Sequence, residues 1–324
     1  MPRVSVIVPA RDAGQTLARA LEAIAGQEAG EAFEVIVVDD GSRDDTARIA
    51  QAAGPPVRVV RQAALGPAAA RNAGIAHASG TLLAFCDADV YPAPGWLAAG
   101  VRALAGADLV QGRVEPDPGH ELGPFDRTLW IDGAVGLWET ANLFVSRSAC
   151  EAAGGFEQWL APRRGKALAE DVWFGYRALR AGARPGFSPD ALAHHAVFPR
   201  GWRAYAAERA RLRFFPAMTG RMPELRAAFL YRHAFLNART ARFDLAVAAA
   251  VIAAARRSPL PLLAAVPYGR ELHRHARRCH EQGPVPPAVA VAVAVAVAAA
   301  DVAADLVGFA ALAVGSVRYG APVL

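Results

Sequence analysis

Three acidic clusters in this chain have the types and spacing to do chemistry together: Asp39-Asp40, Asp87-Ala88-Asp89 and Glu170-Asp171. Two carboxylates at one strand end can present one or two oxygens to a divalent cation, with the remaining positions left for water and substrate phosphates. A Mg2+ or Mn2+ nucleotide site is built in this way. Singly, each feature has a plainer use: an Asp-x-Asp as a solvated turn, Asp39-Asp40-Gly41-Ser42 as a helix entry, Arg71 as surface charge. Only their order along the chain lifts them together.

The elements that must position them alternate in type. Val4-Ser5-Val6-Ile7-Val8 is a β-branched run closed by Pro9, and Leu17, Leu21 and Ile24 follow at helical spacing. Phe33 to Val38 predicts a second strand ending at the first acidic pair. Ser42 with Asp45 has the form of a capping box opening a helix. Val57 to Val60 and Thr81 to Phe85 predict strands three and four, with the Gly66-Pro67 helix carrying Arg71 between them and Asp87 straight after. Repeated βαβ units imply a parallel sheet with helices on both faces, and ligands then settle outside the carboxyl ends of its strands. Beyond it, Leu109 to Val114 and Asn142 to Ser146 read as strands of a mixed sheet. Gly154-Gly155-Phe156 marks a turn, Leu160 to Ala169 a basic loop, and Glu170 to Ala181 a helix.

With these motifs in this order, residues 3–200 resemble the family 2 glycosyltransferases of the GT-A fold, an α/β class with a Rossmann-like mixed sheet. The resemblance rests on Val4 to Pro9, Val37-Val38-Asp39-Asp40-Gly41-Ser42, Ala70-Arg71-Asn72-Ala73-Gly74, Asp87-Ala88-Asp89, Asn142 before Gly154-Gly155-Phe156, and Glu170-Asp171. It implies a nucleoside-diphosphate sugar as donor, held with Mn2+ or Mg2+. Pro9, Asp39, Asp40, Arg71 and Asp87 would bind the nucleotide, Asp39 reading the base and Arg71 contacting base or phosphate. Asp87 would serve the ribose and the metal's water shell, Asp89 would ligate the metal, and His195, or its neighbour His194, would approach it. Asp171 would be the general base, with Glu170 beside it. A helix N-terminus lowers the pKa of Asp171, while burial or Glu170 raises it, and the sequence leaves that contest open. One base without a second nucleophile favours a single inverting displacement. The Gln-x-x-Arg-Trp pattern and long membrane spans of processive synthases of related fold are missing from the sequence, which favours a single addition.

Other features admit two uses. Arg163, Arg164, Gly165 and Lys166 would close over the diphosphate or stay an exposed loop. Trp130, Trp138, Glu139, Thr140 and Trp159 would line an acceptor sugar or pack in the core. Asp39 suits the imide N–H of uracil, which favours a UDP-sugar as donor, while guanine or thymine could present donors there too and the nucleobase stays open. The acceptor is a saccharide, lipid-linked or other hydroxyl, in a setting of cell-envelope polysaccharide, glycolipid or glycoconjugate synthesis.

The chain has 324 residues and a net charge of +5, with 54% hydrophobic and 20% charged residues, a composition that excludes disorder and a disulfide scaffold. Cys86, Cys150 and Cys279 are odd in number and far apart, which fits a reducing, cytoplasmic setting. The N-terminal segment lacks the basic and apolar regions of a signal peptide. Charge divides unevenly: residues 1–199 carry 18 basic against 23 acidic, residues 200–280 carry 16 against 4, and residues 281–324 carry 1 against 3. We therefore expect a catalytic domain over 1–200 and a helical, basic then apolar extension over 201–324, either docked on the anionic inner face of a membrane or solvated. Nucleic acid is not expected, because aromatic interleaving and binding motifs are lacking. Ala288 to Ala300 is an apolar run of 13 residues before Asp301, short of the ~20 a spanning helix needs, so a buried or interfacial helix is favoured over a membrane insertion. Two rivals to the transferase are a nucleotidyltransferase, which would want a Gly-rich phosphate loop after the first strand, and a non-catalytic nucleotide-binding scaffold of the same fold.

Overall fold

The computed structural model describes residues 3–28, 30, 32–161, 168–278 and 287–324. They divide into two compact units, Met1–His120 with Thr128–Val197, and Glu121–Arg127 with Phe198–Leu324.

In the first unit the chain runs β1 (Val4–Ala10), α1 (Leu17–Ala25), β2 (Phe33–Asp40), α2 (Thr46–Ala52), β3 (Val57–Gln62), α3 (Pro67–His77), β4 (Leu82–Cys86), β5 (Val90–Pro92) and α4 (Trp96–Ala103). It continues through β6 (Leu109–Pro116), β7 (Asn142–Ser146), α5 (Arg147–Ala152), α6 (Glu170–Arg180) and β8 (Pro185–His195). One eight-stranded sheet has the order β3-β2-β1-β4-β7-β6-β8-β5. The four strands from β3 to β4 are parallel, while β7 runs antiparallel to both β4 and β6, β6 pairs parallel with β8, and β5 is antiparallel to β8. This is the mixed α/β sheet of the GT-A fold. Continuous apolar runs in β1 and β2 follow from burial on both faces, since Val6, Ile7, Val8 and Val35 to Val38 are all fully buried.

Close packing fixes how the helices sit. A Cβ on Gly74 would lie 2.4 Å from Ile7 Cγ2, so α3 rests directly on β1. Phe85 of β4 meets Phe156 edge-on at 5.2 Å, and Phe156 stacks on Phe174 of α6 at 4.3 Å. That aromatic trio ties the end of β4 to the start of α6.

Two local expectations need correction. Pro9 does not close β1, which continues through Ala10. The Ser42 and Asp45 capping box does not form: α2 begins at Thr46, and its N-cap Asp45 makes no side-chain cap bond. Instead Ser42 Oγ accepts the Asp12 N–H at 3.0 Å, and Asp44 accepts the N–H groups of Gly14 at 2.8 Å and Thr46 at 3.0 Å. These side chains lace the β1 and β2 exit loops together, a long-range use that outcompetes a local cap.

The second unit is helical: α7 (Trp202–Arg209), a 3-10 turn (Ala210–Phe214), α8 (Phe215–Arg221), α9 (Leu225–Ala228), α10 (Ala238–Arg256), a second 3-10 turn (Leu260–Ala265), α11 (Val266–Arg278) and α12 (Pro287–Tyr319). Asn237 opens α10 with a capping box, accepting the N–H groups of Arg239 and Thr240 while Thr240 Oγ1 accepts its own. The apolar run Ala288 to Ala300 lies within the longer helix α12. Its stretch Ala288–Tyr319, 32 residues, is long and apolar enough to cross a membrane by length and composition. Asp301 and Asp305 do not interrupt it, because Arg239 pairs with them at 3.0 and 2.8 Å. His275 Nδ1 lies 2.6 Å from Asp301, and Tyr268 donates to Asp305 at 2.7 Å, so the buried carboxylates are compensated.

Candidate functional site

The carboxyl end of β4, helix α3 and the start of α6 bring Asp87, Arg71 and Glu170 together, while Asp39 and Asp40 stand at the carboxyl end of β2. Arg71, 6% exposed, reaches Glu170 at 3.1 Å with one terminal nitrogen and Asp87 at 3.3 Å with the other. Residues far apart in sequence thus form one bridge, buried at Glu170 and partly open to solvent at Asp87. The neighbour Asn72 holds the scaffold beneath it: its amide accepts the Phe156 N–H and donates to the Phe156 carbonyl, each at 2.8 Å. A Cβ on Gly155, which sits at φ +69°, would meet Asn72 Oδ1 at 2.8 Å, so this turn requires glycine. The Phe156 ring then lies under the Arg71 guanidinium at 5.6 Å.

Asp171 follows Glu170 at the α6 N-terminus, introduced by Ala169 in the left-handed region at φ 60° and braced by Trp159, whose indole donates to the Ala169 carbonyl at 3.0 Å. Burial pushes the Asp171 carboxyl up to about 8; Glu170 adds to the rise, Arg71 opposes it, and Glu139 raises it further. Burial therefore wins the contest that the helix terminus left open. Glu139 is itself pushed up to about 7 by burial. The site holds a third carboxyl whose influence on Asp171 the spacing of the motifs does not reveal.

Asp89 lies on the other side of the β4 exit. Its carboxylate is 3.6 Å from His195 Nε2. His195 Nδ1 is 2.6 Å from the Ala196 carbonyl, which only accepts, so the ring donates there and keeps its lone pair at Nε2 in the neutral form. The pairing of Val90 with His195, and the Ala196 N–H donating to Asp89 O at 2.9 Å, lock this register. Strand alternation turns His194 to the opposite face, where it influences Asp117. The structure thus brings His195, rather than His194, to Asp89. Hard carboxylate oxygens beside one imidazole suit Mn2+ or Mg2+ when diphosphate and water complete the shell. Among the described residues no group of three or more such side chains gathers for a metal. The donor set fits a cation shared with its substrate.

The nucleotide residues divide in role. Asp39 is fully buried, accepting the Ser42 N–H at 3.0 Å and Arg61 Nε at 3.2 Å, with Arg61 largely in solvent above it. Asp40 accepts from Gln62 at 2.7 Å and from the backbone N–H groups of Leu65 at 2.8 Å and Gly66 at 2.9 Å. Its oxygens latch the loop that launches α3. Pro9 pairs with Val38 inside the sheet, one residue before the crevice.

The aromatic candidates separate as well. Trp130 is 56% exposed, whereas Trp138 is core, wedged where a Cβ on Gly175 would lie 2.2 Å away. Thr140 is buried. Arg163, Arg164, Gly165 and Lys166 lie outside the described residues.

Known proteins resemble this arrangement. The model of the family described as Glycosyl transferase family 2 matches residues 5–138, taking in Asp39, Arg71, Asp87 and Asp89 and stopping before Glu170. The glycosyltransferase AglE of Haloferax volcanii is 32% identical over 216 residues, which are 62% of this chain and 69% of that protein. Among solved structures, the mannosyltransferase PcManGT from Pyrobaculum calidifontis, in complex with GDP-Man and Mn2+, superposes with a TM-score of 0.57 at 22% identity, covering 98% of this chain and 87% of that one. S. aureus TarS 1–349 in complex with UDP-GlcNAc gives a TM-score of 0.50 at 17% identity, covering 98% and 92%.

Proposed function

The chain belongs to glycosyl transferase family 2 and is a glycosyltransferase, and from that premise we propose a metal-dependent, inverting, non-processive transfer from a nucleoside-diphosphate sugar, a UDP-sugar by preference, to an acceptor hydroxyl. The acceptor is a saccharide or lipid-linked hydroxyl of cell-envelope or glycoconjugate synthesis. The observation that carries the reading is the Arg71 bridge between Asp87 and Glu170, which sets the nucleotide end of the site beside the candidate base Asp171.

In this reading residues 1–200 are the catalytic domain. Asp39 and Ser42 face the nucleobase, and Asp87 the ribose. Asp89 and His195 hold Mn2+ or Mg2+, which when bound would offset the negative charge gathering on the departing diphosphate. Arg71 keeps Asp87 and Glu170 from repelling each other and leaves Asp171 as the unpaired member of its cluster. Asp171 takes the proton from the acceptor hydroxyl as the new bond from acceptor oxygen to anomeric carbon forms and the bond to phosphate breaks. A base with a raised pKa is matched to this task near neutral to mildly alkaline pH. The extension over 201–324, with its basic segment, associates with an anionic membrane surface at the cytoplasmic face.

Calorimetry of UDP and GDP in the presence and absence of Mn2+ tests the donor site: metal-dependent UDP binding that Asp89→Ala abolishes is expected. Transfer from a nucleotide sugar that survives both Asp89→Ala and Asp171→Asn would sink the proposal.

A further inference from the structure

A helix on the surface of a soluble protein turns polar residues outward. The C-terminal half of α10 does the reverse. From Leu245 to Ala255 every exposed position is Leu, Ala, Val or Ile, with Val251 64% exposed. Arg257, in the left-handed region at φ 49°, then ends the helix and turns the chain back into the second 3-10 turn, which packs along α10. That turn buries none of its residues; Leu260 and Leu263 are each 71% exposed and Leu262 is 46% exposed. A continuous segment of 22 residues, 245–266, thus offers an apolar tip whose polar members are Arg256, Arg257 and Ser258. Exposed apolar surface of this density marks a contact.

The charges around the tip decide what it contacts. Arg256 and Arg257 are exposed at its margin, and α11 turns Arg270, His273, Arg274 and Arg277 outward. The single acid over residues 245–277, Glu271, already pairs with Arg242. A twofold contact with a second copy would bring like patches face to face and set these arginines against each other. A surface that is apolar within and negative at its boundary satisfies both the leucines and the arginines, and a phospholipid membrane with anionic headgroups has this layering.

We propose that the C-terminal half of α10 and the 3-10 turn Leu260–Ala265 form a wedge that inserts into the interfacial layer of an anionic membrane. Leu260, Leu263 and Val251 enter the acyl boundary, and Arg256 and Arg257 engage the headgroups. The inference deepens the membrane association proposed above by assigning it to one element. It does not depend on the transfer chemistry.

The test is flotation of the full chain with vesicles of phosphatidylcholine alone or mixed with phosphatidylglycerol. The wild-type chain is expected to float with the mixed vesicles and to lose binding as salt rises. Leu260→Glu with Leu263→Glu is expected to lower partitioning by about tenfold or more. Arg256→Gln with Arg257→Gln is expected to lower it by about tenfold and to flatten the salt dependence. All four positions are exposed, so melting temperature and UDP binding with Mn2+ should stay at wild-type values. No flotation of the wild-type chain overturns the wedge. Unchanged flotation of the leucine pair also overturns it and moves the anchor to α12. A dimer that the same leucine pair dissociates, without vesicle binding, assigns the patch to a second copy. A chain that floats yet fails to bind nucleotide leaves the wedge standing and removes the transfer reading instead.

Discussion

Replacing Arg71 by methionine keeps the length of the side chain and removes the one cation between two carboxylates. Glu170 has a side chain only 10% exposed, so its pairing counts nearly in full. Breaking a buried pair by deleting one partner costs about 3–5 kcal/mol, because the other charge is left uncompensated. The Asp87 link is 32% exposed and is discounted to about 0.2–1 kcal/mol for solvent screening. The variant should therefore lose at least about 3 kcal/mol, which for a unit of this size lowers Tm by about 6–12 °C. The cause assigned is charge. Scanning calorimetry or circular dichroism at pH 7 should show the deficit. Arg71→Lys keeps one charge and should fall between the two, since an ammonium lacks the fork that spans both carboxylates. A Tm for Arg71→Met within about 2 °C of wild type at pH 7 would refute the reasoning.

Further outcomes follow from the same site and from the packing around it. Asp171→Asn should abolish transfer and yet raise Tm: the folded carboxyl titrates near 8, above its ordinary 3.8, so its contribution to stability is full below about pH 4 and is lost as pH rises toward 8. The gain in Tm should therefore grow from pH 4 to pH 8, and a gain largest in acid would contradict the assignment. Glu139→Gln removes a carboxylate that raises Asp171, so the alkaline-rising limb of kcat/KM should move to lower pH; a shift upward, or none, counts against Glu139 as a neighbour of the base. Gly74→Val forces a branched side chain against Ile7, where even a Cβ comes within 2.4 Å, and should cost about 1–3 kcal/mol by denaturant titration. Asp301→Asn strips Arg239 and His275 of a fully buried partner and should destabilise the helical unit by about 3 kcal/mol or more, read as an earlier transition in limited proteolysis.

What was legible in the sequence was whatever depends on local pattern. β-branched runs gave β1 to β4 to within a residue or two, and the position of an acidic pair after a strand was enough to place Asp39 and Asp87 at carboxyl ends. The assignments that failed are those in which a side chain finds a distant partner. Ser42 and Asp45 carry the right letters for a cap, but Ser42 is taken by Asp12, 30 residues away. Asp301 and Asp305 looked like the end of an apolar run, since nothing near them in sequence neutralises them; Arg239, more than sixty residues earlier, does.

The same logic explains how one arginine organises a site whose acids come from separate elements. Glu170, Asp171 and Asp87 would repel one another across the crevice, and carboxylates gathered near one point are unstable unless some are paired or protonated. Arg71 pairs with two of them and only partly offsets the third, so Asp171 keeps a pKa that burial, and then Glu170, raise. The arrangement also sets a direction for ligand binding. Positive charge arriving beside Asp87 and Asp89 lowers the repulsion in the crevice and makes it easier for Asp171 to release its proton. A base that becomes competent when the donor end of the site is filled would wait for its substrate. In that case the pH at which Asp171 titrates should drop on binding UDP with Mn2+, with protons released to buffer in calorimetry.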